Sequence, residues 1–511
     1  MGNKYYIGTD IGTQSTRVII FDEKGREAAR GSAKHPPMRS PQQGWMEHGK
    51  NDLWEAFCQA AKEAMDRFDG DADCLRGISF ACQSTTIFPI SRDGELLYNP
   101  ISWMDGRTIP EADDLPEDTP EELRNLTKLT KANWFKQVHP EIYEKTAKFL
   151  TASGYISYML TGETNDSFVD CLNNWPVDRK NWKPETDPFI YKCYGMRTDQ
   201  AANWKYPCEK LGQVTEKAAA LTGLPVGLNV YAGALDKESE AIGSGITTPN
   251  RAYITTGTCT TMARISDKDK PGRFSTLMPV EGLHNYPVIV GKGFWIVSWF
   301  RDQLCQDLAG RAEQEGKSIE QLLGEEAEKL PAGSEGLIVL PEWQPILGIG
   351  HTFGKGMMIG FDDRHTRAHM YRALLEGIVM QIRQGYEADE DPEIIKDLEE
   401  VRIGGGGSQS SMFMQIAADI LGVKVIRPNT TETCSLGAAM YAAVGDGLYK
   451  DLHEAAKYMT SDTDVFMPIP ANQALYDKLY KDIFSKIYDR MEPVLKELAR
   501  LTGDMDVQFF I

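Results

Sequence analysis

Two short turns of glycine and hydroxyl residues, Gly12-Thr13-Gln14-Ser15-Thr16 and Gly257-Thr258-Cys259-Thr260-Thr261, lie about half a chain apart. Each joins apolar, β-branched runs, Tyr5–Ile11 to Arg17–Phe21 and Ala252–Thr256 to Met262-Ala263, which is the pattern of a hairpin. Such a turn has little side chain in the way, so its backbone N–H groups and hydroxyls can close around phosphate oxygens. One such turn is commonplace. A pair at half-chain spacing predicts a duplicated architecture that grips a polyphosphate from both sides. Only the first carries an acid, Asp10, where Mg²⁺ bound to that polyphosphate needs a carboxylate.

The elements around these turns alternate between the two regular periods. A helical pattern over 52–65 precedes strand Gly77–Cys82, which ends in the polar tip Gln83-Ser84-Thr85-Thr86. Residues 108–135 are charged and read as helices and loops covering a site. The Asn165–Asp187 stretch reads as an irregular excursion outside the core. Asn229–Leu235 is a strand ending on the carboxylate of Asp236, followed by a small-residue helix with Ala241, Gly243 and Ser244. Later come strand Val401–Ile403, the turn Gly404-Gly405-Gly406-Gly407, helix Ser411–Leu421, strand Lys424–Ile426 and a small-residue helix over Ser435–Val444. This alternation predicts an α/β fold with a boundary near Gly245, giving domains 1–244 and 245–511.

The 511 residues are 41% apolar and 25% charged, ordinary for a globular protein. A formal charge of −19 argues against a nucleic-acid partner and requires positive potential to be concentrated locally if the ligand is anionic. The nine cysteines are scattered without a Cys-x-x-Cys pair, and the N-terminus lacks a signal-peptide core. With no apolar run of membrane-spanning length, the expectation is a cytoplasmic protein with reduced thiols and no membrane partner.

Taken in order, these motifs resemble the FGGY carbohydrate kinases. The resemblance runs from Gly8–Ser15 through Gly44-Trp45-Met46-Glu47, Trp103–Arg107, Tyr158–Glu163, Gly233–Gly243 and Thr255–Thr261. It continues through Gly356–Phe361, Arg372–Gly377 and Gly404–Gly407 to Gln415–Asp419. It implies a two-lobed actin/hexokinase-like (ribonuclease H-like) α/β fold with ATP and sugar in the interdomain cleft. In that frame Asp10 would hold Mg²⁺ through water. Gly12, Thr13 and Gln14 would face the terminal phosphates from one lobe, and Thr256, Gly257 and Thr258 from the other. Gly404, Gly405, Gly406, Gly407 and Gln409 would hold the adenosine, since exposed glycine backbone lets a base lie flat beside a helix N-terminus. Asp236 would be the general base for the attacking hydroxyl, although an N-cap role suits the same position. The resemblance also places Tyr476–Leu498 as helix packed back on the first lobe, and a homodimer is an assembly open to it.

The sugar-facing positions depart from the family's patterns. Gln83-Ser84-Thr85 stands where xylulokinases have Gln-Met-His, Lys237 where they have Asn, and Trp343-Gln344-Pro345-Ile346 where Glu-Arg-x-Pro is common. Gln83, Ser84, Thr85, Trp103, Asp105, Asp236 and Lys237 are the expected substrate contacts. Trp103 alternatively packs in the core, and Lys237 is solvated, binds phosphate or depresses the Asp236 pKa. The implied reaction is ATP-dependent phosphorylation of a primary hydroxyl of a small ketose or polyol, with D-xylulose to D-xylulose 5-phosphate foremost. Ribulose, glycerol, erythritol or a hexulose are alternatives, as is a non-catalytic regulator of the same fold. A Rossmann fingerprint fails at Gln409, and no Walker A sequence is present. His365 and His369 lack the zincin glutamate, so capping and surface roles are expected of them.

Overall fold

The computed structural model describes residues 3–109, 115–171, 174–257, 259–269, 274–344, 350–388 and 398–502. Two twisted sheets organise the chain. The first holds β1 (Tyr5–Ile11), β2 (Ser15–Asp22), β3 (Glu27–Lys34), β4 (Leu75–Cys82), β5 (Lys210–Gln213), β6 (Asn229–Tyr231) and β7 (Ala234–Leu235). Its order is β5-β6-β4-β1-β2-β3, with β7 also on β4. The second holds β8 (Arg251–Thr256), β9 (Thr260–Ser266), β10 (Glu400–Gly405), β11 (Lys424–Pro428) and β12 (Asp462–Phe466). There the order β9-β8-β10-β11-β12 repeats β2-β1-β4-β6-β5, including which neighbours run parallel. Both Gly/Thr turns close antiparallel hairpins, Ile11 opposite Thr16 and Thr256 opposite Thr260. The duplication and the two-lobed α/β fold expected of the sequence are both observed.

Helices cover the sheets in a crossed arrangement. On the outer face of the first sheet lies α1 (Asp52–Arg67), which buries Leu53, Phe57, Ala60, Ala61 and Ala64, the apolar side of its 3.6-residue period. The inner faces are exchanged. Helix α2 (Asp236–Gly243) follows the first sheet in sequence, yet its buried Glu238 bonds Thr276 and Asn285 (2.8 Å) of the second lobe. Helices α3 (Arg367–Glu387) and α4 (Ser411–Leu421) pack on the outer side of the second sheet. Helix α5 (Thr433–Gly445) comes from the second half but lies across β1 and β4 of the first sheet. Every residue from Thr433 to Ala443 is buried, as a helix without a polar face requires. Past its end, Asp446 takes Lys4 (3.2 Å), the Tyr6 hydroxyl (2.9 Å) and Arg76 (3.2 Å).

Glycine makes this arrangement feasible. A Cβ on Gly8 would sit 1.7 Å from the Ser435 carbonyl, one on Gly243 1.9 Å from the Thr433 carbonyl, and one on Gly437 2.1 Å from the Ser239 carbonyl. β1, α2 and α5 therefore touch backbone to backbone.

Two expectations are corrected. The C-terminal helices α6 (Pro470–Asp482) and α7 (Ile487–Thr502) pack on the second lobe, not the first. Tyr476, Tyr480, Phe484 and Ile487 enter that lobe's core, and the Tyr476 hydroxyl donates to Glu376 on α3 (2.7 Å). The Asn165–Asp187 stretch is irregular but not peripheral. Asp166, Ser167, Phe168, Val169, Asp170 and Trp175 are all buried, with Asp166 capping the helix Ala152–Thr161 through Thr151. Helices at Glu121–Leu129 and Lys131–Val138 fill part of the charged segment as anticipated. His369 takes the Thr366 amide (3.2 Å) and so caps α3, though buried rather than on the surface, and among the described residues no three His, Cys, Asp or Glu side chains cluster as metal ligands.

Gly437→Ala tests the backbone contact. Alanine favours a helix by about 1 kcal/mol, but forcing a methyl group into this contact costs about 1–3 kcal/mol. The expected outcome is a lower melting temperature, whereas Gly324→Ala, where nothing lies within 4 Å of the new methyl, leaves it unchanged or raises it.

Candidate active site

The ends of β1, α2 and α5 meet at the floor of the cleft between the sheets. Asp10 closes β1 and, by hairpin register, faces Arg17. The Arg17 guanidinium donates to Asp10 (2.5 Å) and also pairs with Glu432 (3.3 Å), the residue before α5. Asp10 is thus held rather than free. Register arithmetic across the turn is the signal that would have found Arg17; nothing in the sequence points to Glu432.

Asp236 is the first residue of α2, not its cap. Its carboxylate accepts the Lys237 backbone amide (2.8 Å), and its carbonyl accepts the Cys434 thiol (3.6 Å) at the start of α5. Burial pushes its pKa up to about 7, with Lys237 opposing and Glu240, Asp10 and Glu238 adding to the rise. A carboxyl poised there changes charge near neutrality, which suits exchange of a proton with a hydroxyl. Lys237 keeps 44% of its side chain exposed while its ammonium rests on Glu240 (2.9 Å), another residue not foreseen.

The second hairpin is stitched to the glycine turn. The Thr256 hydroxyl donates to the Gly404 carbonyl (2.6 Å) and accepts from the Gly407 amide (2.9 Å). That hydroxyl is buried and occupied, so Thr256 does not present it to a phosphate, contrary to expectation. Gly257 is exposed; Thr258 lies outside the described residues. The four glycines differ. Gly404 and Gly407 are buried because Tyr253 and Phe294 fill the space a Cβ would need, 2.3 and 2.2 Å away. Gly405 adopts φ +85°, the left-handed region. Only Gly406 has nothing within 4 Å, so the open backbone expected of the whole run narrows to Gly406, with Gly405 half-buried against Thr256 and Gln409 exposed beyond. Ser410 then caps α4 through the Phe413 amide (3.2 Å).

On the first lobe, Gly12 and Thr13 are half-buried and Gln14 is exposed, and Trp103 is 52% exposed, which removes its core alternative. Its indole N–H donates to the Thr13 hydroxyl (2.9 Å), tying a flat apolar surface to the phosphate-type turn. Ser84 and Thr85 are half-buried at the tip of β4. Thr85 sits at φ +53°, a strained value for a β-branched residue, held by Asn174 donating to its carbonyl (2.8 Å).

Gln83 and Asp105 turn inward, against expectation. The Gln83 amide meets His48 (3.3 Å) and is buried. The Asp105 carboxylate is enclosed by the Met46 amide (2.7 Å), Arg107 Nε (2.8 Å) and Lys131 (3.3 Å). Arg107 also reaches Glu47 (2.8 Å), and its guanidinium packs against the rings of Trp45 (3.9 Å) and Trp134 (4.5 Å), which meet edge to face. A planar cation packed against two aromatic rings and bonded to two carboxylates fixes the loop that carries Trp103. The Asp105 carboxylate is therefore buried and taken up by these partners.

A duplicated sheet pair with phosphate-type hairpins and a carboxylate between them is the architecture of a carbohydrate kinase. Residues 5–243 match the N-terminal domain of the FGGY family of carbohydrate kinases, and residues 252–445 match its C-terminal domain. The chain belongs to that family and is a sugar kinase. It is 30% identical over 502 residues to the uncharacterized sugar kinase YgcE of Escherichia coli K12, covering 97% of this chain and 96% of that one. It is 28% identical over 504 residues to the xylulose kinase of Bacillus subtilis, covering 95% and 97%. The crystal structure of xylulose kinase from Rhodospirillum rubrum superposes with a TM-score of 0.79 at 25% identity, covering 96% of this chain and all of that one. Among the described residues no helix is long and apolar enough to cross a membrane.

The Arg107 node is open to test. Arg107→Met leaves Glu47 buried without its cation and Asp105 with Lys131 alone, a loss of about 3–5 kcal/mol for a broken buried pair. Thermal unfolding should show a marked loss of stability, with Arg107→Lys intermediate because it keeps the charge but not the stacked plane.

Proposed function

We propose that the protein transfers the terminal phosphoryl group of ATP to a primary hydroxyl of a small ketose or polyol, with D-xylulose to D-xylulose 5-phosphate the leading reaction. The observation that carries this reading is Asp236, half-buried at the cleft floor with a pKa near 7, beside Asp10 and between the two hairpins. The lobes, 1–244 and 245–511, each lending a helix to the other, would close over the substrates and exclude water. The xylulose kinase relative supports the ketose. Ser84, Thr85 and Lys237 depart from the xylulokinase pattern, so ribulose, glycerol, erythritol and a hexulose belong in the same screen.

The residues fit the nucleotide. Gly406 offers bare backbone for adenosine, Gly12, Thr13 and Gln14 offer amides and a hydroxyl, and Arg17 and Lys237 supply cations in an otherwise acidic protein. Mg²⁺ bound with ATP supplies charge neutralisation, and Asp10, already oriented by Arg17, would hold it through water. Asp236 orients the acceptor hydroxyl and takes its proton at the carboxylate. Trp103 and the Ser84-Thr85 tip line the sugar side. Phosphoryl transfer depends mainly on positioning and charge stabilisation, so a carboxylate is base enough.

Coupled ADP-release assays across these sugars test the reading; activity on none of them would leave the regulator alternative. Asp236→Asn should cut turnover by roughly 10²–10⁴-fold while nucleotide and sugar binding persist. A second check is the pH profile. The base must be ionised, so kcat/KM should rise with pH through about 7 and fall off below it. Glu240→Gln removes a negative charge and frees the Lys237 ammonium; both changes favour the carboxylate. The acid limb should therefore move to lower pH, and a shift to higher pH would contradict the assignment.

A further inference from the structure

Two buried imidazoles, His35 and His48, lie behind the site and have no part in the chemistry above. His35 follows β3 and grips the first turn three ways. Its backbone amide donates to the Gln14 carbonyl (2.8 Å), ring Nδ1 to the Thr13 carbonyl (3.2 Å), and Nε2 lies 2.9 Å from the Thr16 hydroxyl. A carbonyl can only accept, so Nδ1 carries the proton and Nε2 accepts from Thr16. His48 crosses His35 edge-on, ring centroids 5.9 Å apart at 87°. Its Nε2 takes the Gln83 amide N–H (3.3 Å), and Gln83's own backbone amide donates to the Ile11 carbonyl at the end of β1 (2.9 Å). Burial pushes both imidazoles down, His48 to about 4, so both are neutral and available as acceptors at neutral pH.

We propose that the His35–His48 pair is a positioning couple that holds the phosphate turn Gly12–Thr16 in register with the sugar-side tip Gln83–Thr85, so that filling the nucleotide side orders the sugar side. The inference rests on the nucleotide reading of the first turn. Its physical basis is contact. Both rings are enclosed, each is bonded to a different subsite, and a close-packed interior passes a displacement of one to the other. The bond to His48 also explains why Gln83 turns away from the cleft: it anchors the tip on which Ser84 and the strained Thr85 stand.

Hydrogen exchange on the full-length protein, with and without MgADP, tests the coupling without needing the sugar. In the parent, MgADP should protect residues 9–17 and also 81–88. His48→Asn, too short to reach Gln83, should keep the protection at 9–17 and lose it at 81–88. His48→Gln, which restores an amide near the Nε2 position, should recover both. Gln83→Leu breaks the same bond from the other side and should copy His48→Asn, while ADP affinity changes by less than about threefold throughout. Protection at 81–88 that persists in both His48→Asn and Gln83→Leu overturns the coupling. So does a parent protected at 9–17 alone. A parent with no protection at 9–17 overturns the nucleotide reading and the coupling with it.

Discussion

The contact that everything else depends on is the approach of β1, α2 and α5 at Gly8, Gly243 and Gly437. Because no side chain intervenes, the starts of both helices are drawn to the end of the first strand. Asp236, Cys434 and Asp10 become neighbours as a result. The same closeness buries Asp236 and brings Asp10 near it, both of which raise its pKa, so a packing constraint and an electrostatic property share one cause. The site's chemistry is thus set by backbone geometry before any of its side chains is considered.

Around that floor, the walls are built by charges that face away from solvent. Asp105, Glu47 and Arg107 form a buried set packed against Trp45 and Trp134, which anchors the loop that exposes Trp103. Thr256 plays a similar part on the other lobe, joining a hairpin to the glycine turn. In both places a residue with suitable chemistry serves the architecture while its neighbour faces the cleft. Exposure, which residue type does not reveal, separates the two roles.

That distinction marks what could be read from the sequence. The hairpins, the strand-to-helix junction at Asp236, the βα alternation and the duplication were legible because periodicity and turn composition are local. Gln83, Asp105 and Thr256 were misread because the direction a polar side chain takes is decided by partners far away, His48, Arg107 and Gly407 among them. Arg17 was recoverable from hairpin register and Glu240 from its helical spacing to Asp236 and Lys237, whereas Glu432 depends on how α5 meets β1 and β2. The placement of α6 and α7 turned on which core the tyrosines of 476–480 enter, and apolar spacing cannot choose between two cores. Asn165–Asp187 was misjudged because its polar composition concealed a buried, hydrogen-bonded segment.

The crossed helices bear on how the chain can be divided. Cutting it between the lobes would give a first fragment whose sheet lacks α5, exposing Tyr6, Phe21 and Ala81 along its inner face, and a second fragment carrying an apolar helix with nothing to cover. Neither half is a self-sufficient unit despite the repeated sheet. The fragments would be insoluble apart and complementary together, each completing the other's core. An ancestor made of one such half would therefore have needed a second copy from the start, and the present single chain keeps that mutual dependence inside one molecule.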